Sequence, residues 1–417
     1  MKIAVVGMLD EREQGLGLIR DCIEKRGHDP ILIDISMGTG AIKVSLEPDI
    51  SSQDLAGIGN TTIEKIKEMV TGERDRATSI MSESLGVKLA ELQESGTLKG
   101  MIAVGGATGT MITLPAMSLL PYGLPKVLIS SVAGHPHFAN ELSKYYGTRD
   151  IMVLHSVVDT VGMNGMVRSL MRNGAGAVCG MAESYEPLMN ETKPAIAITE
   201  YGHCEKGAHY IRDLLEKDFS ITSFHATGFG EKSATALVNQ GLFEAFIDLV
   251  PAGFSEYLFG GIRSAGPERL SAGSELDKPY IIAPGGFDMI SCGPIERREK
   301  GDPLWVSRKL AERKLLVMDS ARVEARLIAD EMKSLAFEVA RRLNRRKYKR
   351  RIKFLIPLKG FSSLGAEGGI LHDPDSDRAF IEGIKENLDP EIEIIEMDTH
   401  INSPEFAKKV AQVLRRT

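Results

Sequence analysis

The 417-residue sequence predicts an α/β protein of two Rossmann-like subdomains, residues 1–190 and 191–417, each built on a mainly parallel, doubly wound sheet. Three observations predict it. Short apolar runs alternate with longer amphipathic stretches from end to end, as expected of right-handed βαβ crossovers. The series restarts near residue 190, where Pro187, Asn190 and Pro194 mark a linker over 187–194. Both halves open on a strand that leads into a Gly-containing loop and a helix.

Lys2–Gly7 is the first strand and reads as such rather than as a signal peptide. Leu16, Ile19, Cys22 and Ile23 then share one helical face, and Gly27 ends that helix. Strands follow at Ile31–Asp34, Met101–Val104, Val127–Ser130 and Ile151–Leu154, with a long helix over Arg74–Glu94. In the second half, strands are predicted at Ala195–Thr199, Ile221–His225, Ala245–Val250 and Tyr280–Ala283. Leu315–Asp319, Lys353–Leu358 and Ile392–Asp398 complete the series.

A hydrophobic content of 43% and a charged content of 26% are those of a globular protein with real cores. The net charge of -6 gives no reason to expect a nucleic-acid or membrane surface. No apolar run approaches the ~18 residues of a spanning helix. Cys22, Cys179, Cys204 and Cys292 are scattered without a CxxC pair, so thiols in a reducing compartment are expected and cytoplasm is the default location. The basic run Arg341–Arg351 reads as a solvated helix end rather than a phosphate-binding stripe.

The most informative segment is Met101–Leu114, MIAVGGATGTMITL. It reads strand, glycine-rich turn, helix N-terminus, an order that points open N–H groups and the positive helix end at one spot. It has neither the Gly-Lys-Ser/Thr ending of a P-loop nor GxGxxG spacing. Gly105, Gly106 and Gly109 would let phosphates approach the backbone. Thr108, Thr110 and Ser130 would add hydroxyls, and Asp10 or Asp34 would contact a ribose or hydrated magnesium. The alternative is tight strand-to-helix packing with ordinary capping. The second half has its own strand-end groups, Thr199–His203, His225–Gly230, Gly285–Asp288, Lys359 and His400–Asn402. Among these His225, Glu200 and Lys359 are candidate acid/base groups, and Asp248 with Glu256 a candidate carboxylate pair.

Taken together, Gly105–Thr110, Gly123–Ser130, Ser156–Asp159, Asn173–Ala177, Phe224–Gly228, Ser264–Pro267 and His400–Asn402 resemble the ATP-binding protein family typified by the tomato mosaic virus resistance protein, with many uncharacterised bacterial members. The resemblance runs through almost the whole chain. It implies two Rossmann-like subdomains, a homodimer, and ATP with magnesium in a cleft. In the plant relatives a TIM-barrel domain follows this region, and these 417 residues hold no counterpart of it. The chain departs from the family at Glu11-Arg12-Glu13 and at Val132–His137. The expected function is nucleotide binding at strand carboxyl ends. The alternatives are a metabolic enzyme acting on a small acidic or phosphorylated metabolite in an inter-subdomain cleft, and an interaction module.

Overall fold

The computed structural model describes residues 1–186 and 192–417. The chain divides into two compact units, Met1–Asn190 and Glu191–Thr417. Most of the linker expected at 187–194 falls on residues outside the described ones.

The first unit runs β1 (Lys2–Gly7), α1 (Leu9–Lys25), β2 (Asp29–Asp34), α2 (Ser52–Ile58), α3 (Ile63–Met69) and α4 (Arg74–Glu94). It continues with β3 (Leu98–Gly105), α5 (Ala107–Ser118), β4 (Lys126–Ser130), α6 (Pro136–Tyr146), β5 (Met152–His155) and α7 (Gly165–Glu183). Its sheet has the order β2-β1-β3-β4-β5, and every pairing is parallel. Strand periodicity explains how both faces are covered, since alternate side chains point opposite ways. Ile3 and Val5 of β1 pack with Leu16, Ile19 and Ile23 of α1 and Val167 and Met171 of α7. Ala4 and Val6 pack on the other face, with Met81 and Leu85 of α4 and Ile112 of α5.

The second unit runs β6 (Ala195–Glu200), α8 (Glu205–Leu215), β7 (Ser220–His225), α9 (Phe229–Asn239), β8 (Ala245–Asp248), α10 (Gly253–Phe259) and β9 (Tyr280–Ile282). Then come β10 (Met289–Ser291), α11 (Glu296–Glu299), α12 (Pro303–Ser307), β11 (Leu315–Val317), β12 (Val323–Arg326) and α13 (Ala329–Leu343). It closes with β13 (Ile352–Pro357), α14 (Pro374–Asn387), β14 (Glu393–Met397) and α15 (Pro404–Arg416). Six strands form a parallel sheet of order β14-β13-β9-β8-β6-β7. Ile196 and Ile198 face α8 and α15 through Ile211 and Phe406. Ala197 and Phe246 face the opposite cluster of Leu335, Val339 and Phe380 from α13 and α14.

One expected strand lies elsewhere. Leu315–Asp319 does not join the parallel series. Its first three residues pair antiparallel with β12, in a separate sheet of order β10-β12-β11. The reason is the turn that follows: Asp319 accepts from the amides of Ala321 and Arg322, and Met318 donates to Arg322. This short local return leaves no room for a crossover helix.

The basic run spans the end of α13 and the turn after it, and three cations of that turn are paired inside the unit. Lys349 meets Asp389, Arg350 meets Glu391 and Arg351 meets Asp277. Arg346 is buried and lies 4.3 Å from the centre of the Tyr280 ring.

Candidate functional sites

In a parallel sheet of order 2-1-3, connections leave in opposite directions on either side of the first strand, which opens a crevice at the carboxyl ends of the first and third strands. In the first unit that place is the end of β1 at Gly7 and of β3 at Gly105. The turn after β3 is close-packed. A Cβ on Gly105 would lie 2.6 Å from the Thr110 nitrogen, so only glycine lets α5 start so near the strand. No side chain caps α5, whose N-cap is Gly106, and the first-turn amides stay open.

Arg12 stands beside this helix end. A Cβ on Gly106 would lie 2.9 Å from Arg12 Nη2 and 3.9 Å from Ser131 Oγ. Arg12 is only 5% exposed. Its Nε donates to Thr160 Oγ1 at 2.8 Å, its Nη2 reaches Asp159 at 3.3 Å, and its Nη1 pairs with Glu11. A guanidinium and a helix N-terminus are both positive, and their close approach suits an anion between them.

The other predicted residues divide into groups. Thr110 and Ser130 are fully buried and hydrogen-bond one another at 2.8 Å, joining α5 to β4. Thr108 is half-buried on the first turn of α5, and Gly109 has only Val104 O near its Cβ position, at 3.6 Å. Asp34 accepts from the Leu9 amide and from Ser36, so it braces the end of β1. Asp10 Oδ2 accepts from the Gly40 amide at 3.0 Å, while its Oδ1 is buried without a partner. Next to the turn lies a groove of about 570 Å³, lined by Ala107, Thr108, Met111, Arg74, Phe138 and Tyr145 among others. Its volume is that of a small-molecule site. Sequence reasoning left Arg12 out of the site. The Ser156–Asp159 segment was the available signal, since it delivers Asp159 to this arginine.

In the second unit the crevice position is between the ends of β6 and β8. Glu200 and His225 are in register across β6 and β7, and Glu200 is paired with Arg212. Lys359 lies beyond β13, ion-paired with Asp398 at 2.9 Å on an exposed surface. The three candidates therefore do not form one constellation: β9 and β8 separate β13 from β6. Asp248 and Glu256 do not pair either. Asp248 takes a bidentate bond from Arg269, at 2.7 and 2.6 Å. Glu256 accepts from the Ser291 amide at 2.8 Å.

Instead, the groups gather around Tyr201, just past β6. Its hydroxyl meets Glu324 at 3.2 Å and accepts from Arg263, whose Nη2 also pairs with Glu324 at 2.9 Å. The Arg263 guanidinium carbon is 4.7 Å from the Tyr201 ring centre; the ring of His203 is 5.1 Å away and that of His225 6.0 Å. Burial pushes the Tyr201 hydroxyl up, and Glu324 adds to it. Burial lowers His203 against the opposing pull of Glu324 and Asp288. Burial also pushes Glu256 up to about 8, helped by Glu324. Tyr201 and His203 lie in the strand-end segment singled out from sequence, whereas Arg263 arrives from the loop after α10 and Glu324 from β12 of the antiparallel sheet.

These features define a class: a two-unit α/β protein with parallel doubly wound sheets, an uncapped glycine turn beside a buried arginine in the first unit, and a polar cluster at the strand ends of the second. The chain belongs to the uncharacterised protein family UPF0261. The family's N-terminal domain matches residues 1–187 and its C-terminal domain residues 193–417. A UPF0261 protein of Clostridium tetani is 31% identical over 99% of this chain and 98% of its own length. The ToMV resistance protein Tm-1 of Solanum lycopersicum is 28% identical over 80% of this chain, a region that makes up 43% of the plant protein. Among solved structures, the Methanocaldococcus jannaschii UDP-GlcNAc 2-epimerase in complex with UDP-GlcNAc and UDP covers 68% of this chain and 83% of its own. It does so at 12% identity and a TM-score of 0.23, too low to carry an argument. Among the described residues, no helix is long and apolar enough to cross a membrane.

Proposed function

We propose that the first unit binds a nucleoside triphosphate, ATP with magnesium, its phosphates against the Gly105–Thr110 turn. The observation that carries this reading is Arg12, buried and held against Gly106 at the uncapped start of α5. Three partners fix its guanidinium there, so the site is preorganised for an anion. The adjoining groove offers Met111, Phe138 and Tyr145 to a flat base.

Magnesium fits as a companion of the phosphates. Among the described residues, no group of three His, Cys, Asp or Glu side chains could hold a metal alone. A nucleotide-borne magnesium needs only one or two carboxylates. Asp10 Oδ1, buried and unpartnered, is the oxygen this chain would offer it. The homodimer, which rests on the resemblance, and the cytoplasmic location, which rests on the scattered thiols, belong to the same proposal.

Isothermal titration with ATP–magnesium tests this reading. Binding is expected in the unmodified protein and should weaken about tenfold or more in Gly109→Asp, which sets a carboxylate among the phosphate-binding amides. The Gly109 Cβ position meets nothing closer than 3.6 Å, and Gly109→Asn, equal in size to Asp and uncharged, separates charge from fit. Absence of heat with the unmodified protein would sink the proposal.

A further inference from the structure

We infer that the cluster around Tyr201 in the second unit is a binding site for a small oxyanion, held by Arg263, His203 and His225. Three groups that carry or accept positive charge ring one phenol, at 4.7, 5.1 and 6.0 Å. They come from different elements: His203 follows β6, His225 ends β7, and Arg263 lies beyond α10. The two histidines stand at the carboxyl ends of the first two strands of this sheet, where ligands of open α/β sheets bind, and Arg263 reaches them through Tyr201.

The cluster is anchored on a buried carboxylate and partly exposed. Glu324 is fully buried and accepts from Tyr201, Arg263 and Ser291. Arg263 spends one N–H on Tyr201 and one on Glu324. A guanidinium has five such donors, and the Arg263 side chain keeps 17% of its surface exposed. The His225 side chain is exposed at the strand end. Glu324 thus positions the arginine, whose part-exposed side chain keeps further donors beyond those two. Two loops close the arrangement: a Cβ on Gly228, whose φ is +88°, would lie 3.0 Å from the Arg263 carbonyl.

The groups facing His203 are Tyr201, Arg263, Glu324 and Asp288. Burial keeps its imidazole below its ordinary value and therefore neutral at pH 7. An arriving anion favours the imidazolium, so binding takes up a proton and strengthens as pH falls. A terminal phosphate or sulfate and a carboxylate share this chemistry. Comparing sulfate with acetate tells a tetrahedral from a planar group, and neither titrates near neutrality.

The test is NMR of the histidine ring signals in the full chain, titrated with sulfate and, separately, with acetate. The His203→Gln variant assigns the signal. A saturable His203 shift is expected with one or both anions, stronger at pH 6 than at pH 8. Arg263→Gln should weaken it about tenfold or more, as for loss of a charge-assisted pair. A shift that never saturates, or equal affinity in Arg263→Gln, overturns the inference. Should Arg263→Gln fail to fold, His225→Gln, changed at an exposed side chain, serves instead. It is expected to weaken binding several-fold, and affinity equal to the unmodified protein's overturns the inference just as well. The readout sits on His203 itself, so nucleotide binding in the first unit does not enter it.

Discussion

Glu256 shows how much of this protein's behaviour rests on single buried groups. It is 3% exposed and lies against Gly261, where a Cβ would stand 1.7 Å from its Oε2. Its carboxyl is pushed from 4.5 up to about 8 by burial, with Glu324 adding to the effect. The sign of the pH dependence follows. The unfolded chain releases this proton near 4.5 while the folded chain keeps it to about 8, so the unfolded state binds fewer protons in between and stability falls as pH rises. Glu256→Gln mimics the neutral form and should flatten that decline. The melting temperature of the variant is expected to drop less between pH 6 and pH 9 than that of the unmodified protein. Equal drops would show that Glu256 does not carry the effect. At this scale the sequence was least legible. Arg12, Arg263 and Glu324 are ordinary charged residues on a helix, in a loop and in a short strand. They become site residues through partners 148, 62 and 123 positions away, separations that no local pattern encodes.

Arg269 ties several elements of the second sheet together. Its guanidinium is 1% exposed and bonds Glu231 near the start of α9 and Asp248 at the end of β8. Asp248 also accepts from Thr199 in β6 and from Tyr280 in β9, both at 2.7 Å. Three adjacent strands and one helix therefore share a single charge network. Removing one partner from such a network strands the others as buried unpaired charge, so Arg269→Met should cost about 3–5 kcal/mol. Denaturant unfolding measures it, and a loss under about 1 kcal/mol would place Arg269 with weakly coupled surface pairs. The elements themselves were largely readable. Alternation such as Ile3, Val5 against Ala4, Val6 is local, and so is the 3.6-residue spacing of Leu16, Ile19 and Ile23. Leu315–Asp319 shows the limit. Its apolar run resembles the others, and only its partner, a strand returning through the Asp319 turn, assigns it to a different sheet.

At the scale of the whole molecule, each unit holds a parallel sheet with an apolar cluster on either face. With 190 and 227 residues, both units are large enough to bury a core that supports independent folding. The restart of the strand series made this duplication legible, because a repeated βαβ rhythm survives without knowledge of any contact. Chemistry was not legible at the same level: the two sheets share the order 2-1-3 at their first three strands, yet one ends in glycine amides and the other in a tyrosine cluster. Fragments 1–190 and 191–417, produced separately, should each unfold cooperatively. ATP–magnesium at a hundredfold excess over its dissociation constant should stabilise the first by about 2.7 kcal/mol. It should leave the second unmoved, since the open amides of α5 and Arg12 belong to the first alone. Calorimetry of both fragments decides it. Stabilisation of fragment 191–417 instead would transfer the nucleotide site to the second sheet, and with it the meaning of the glycine turn, which would then serve packing between β3 and α5.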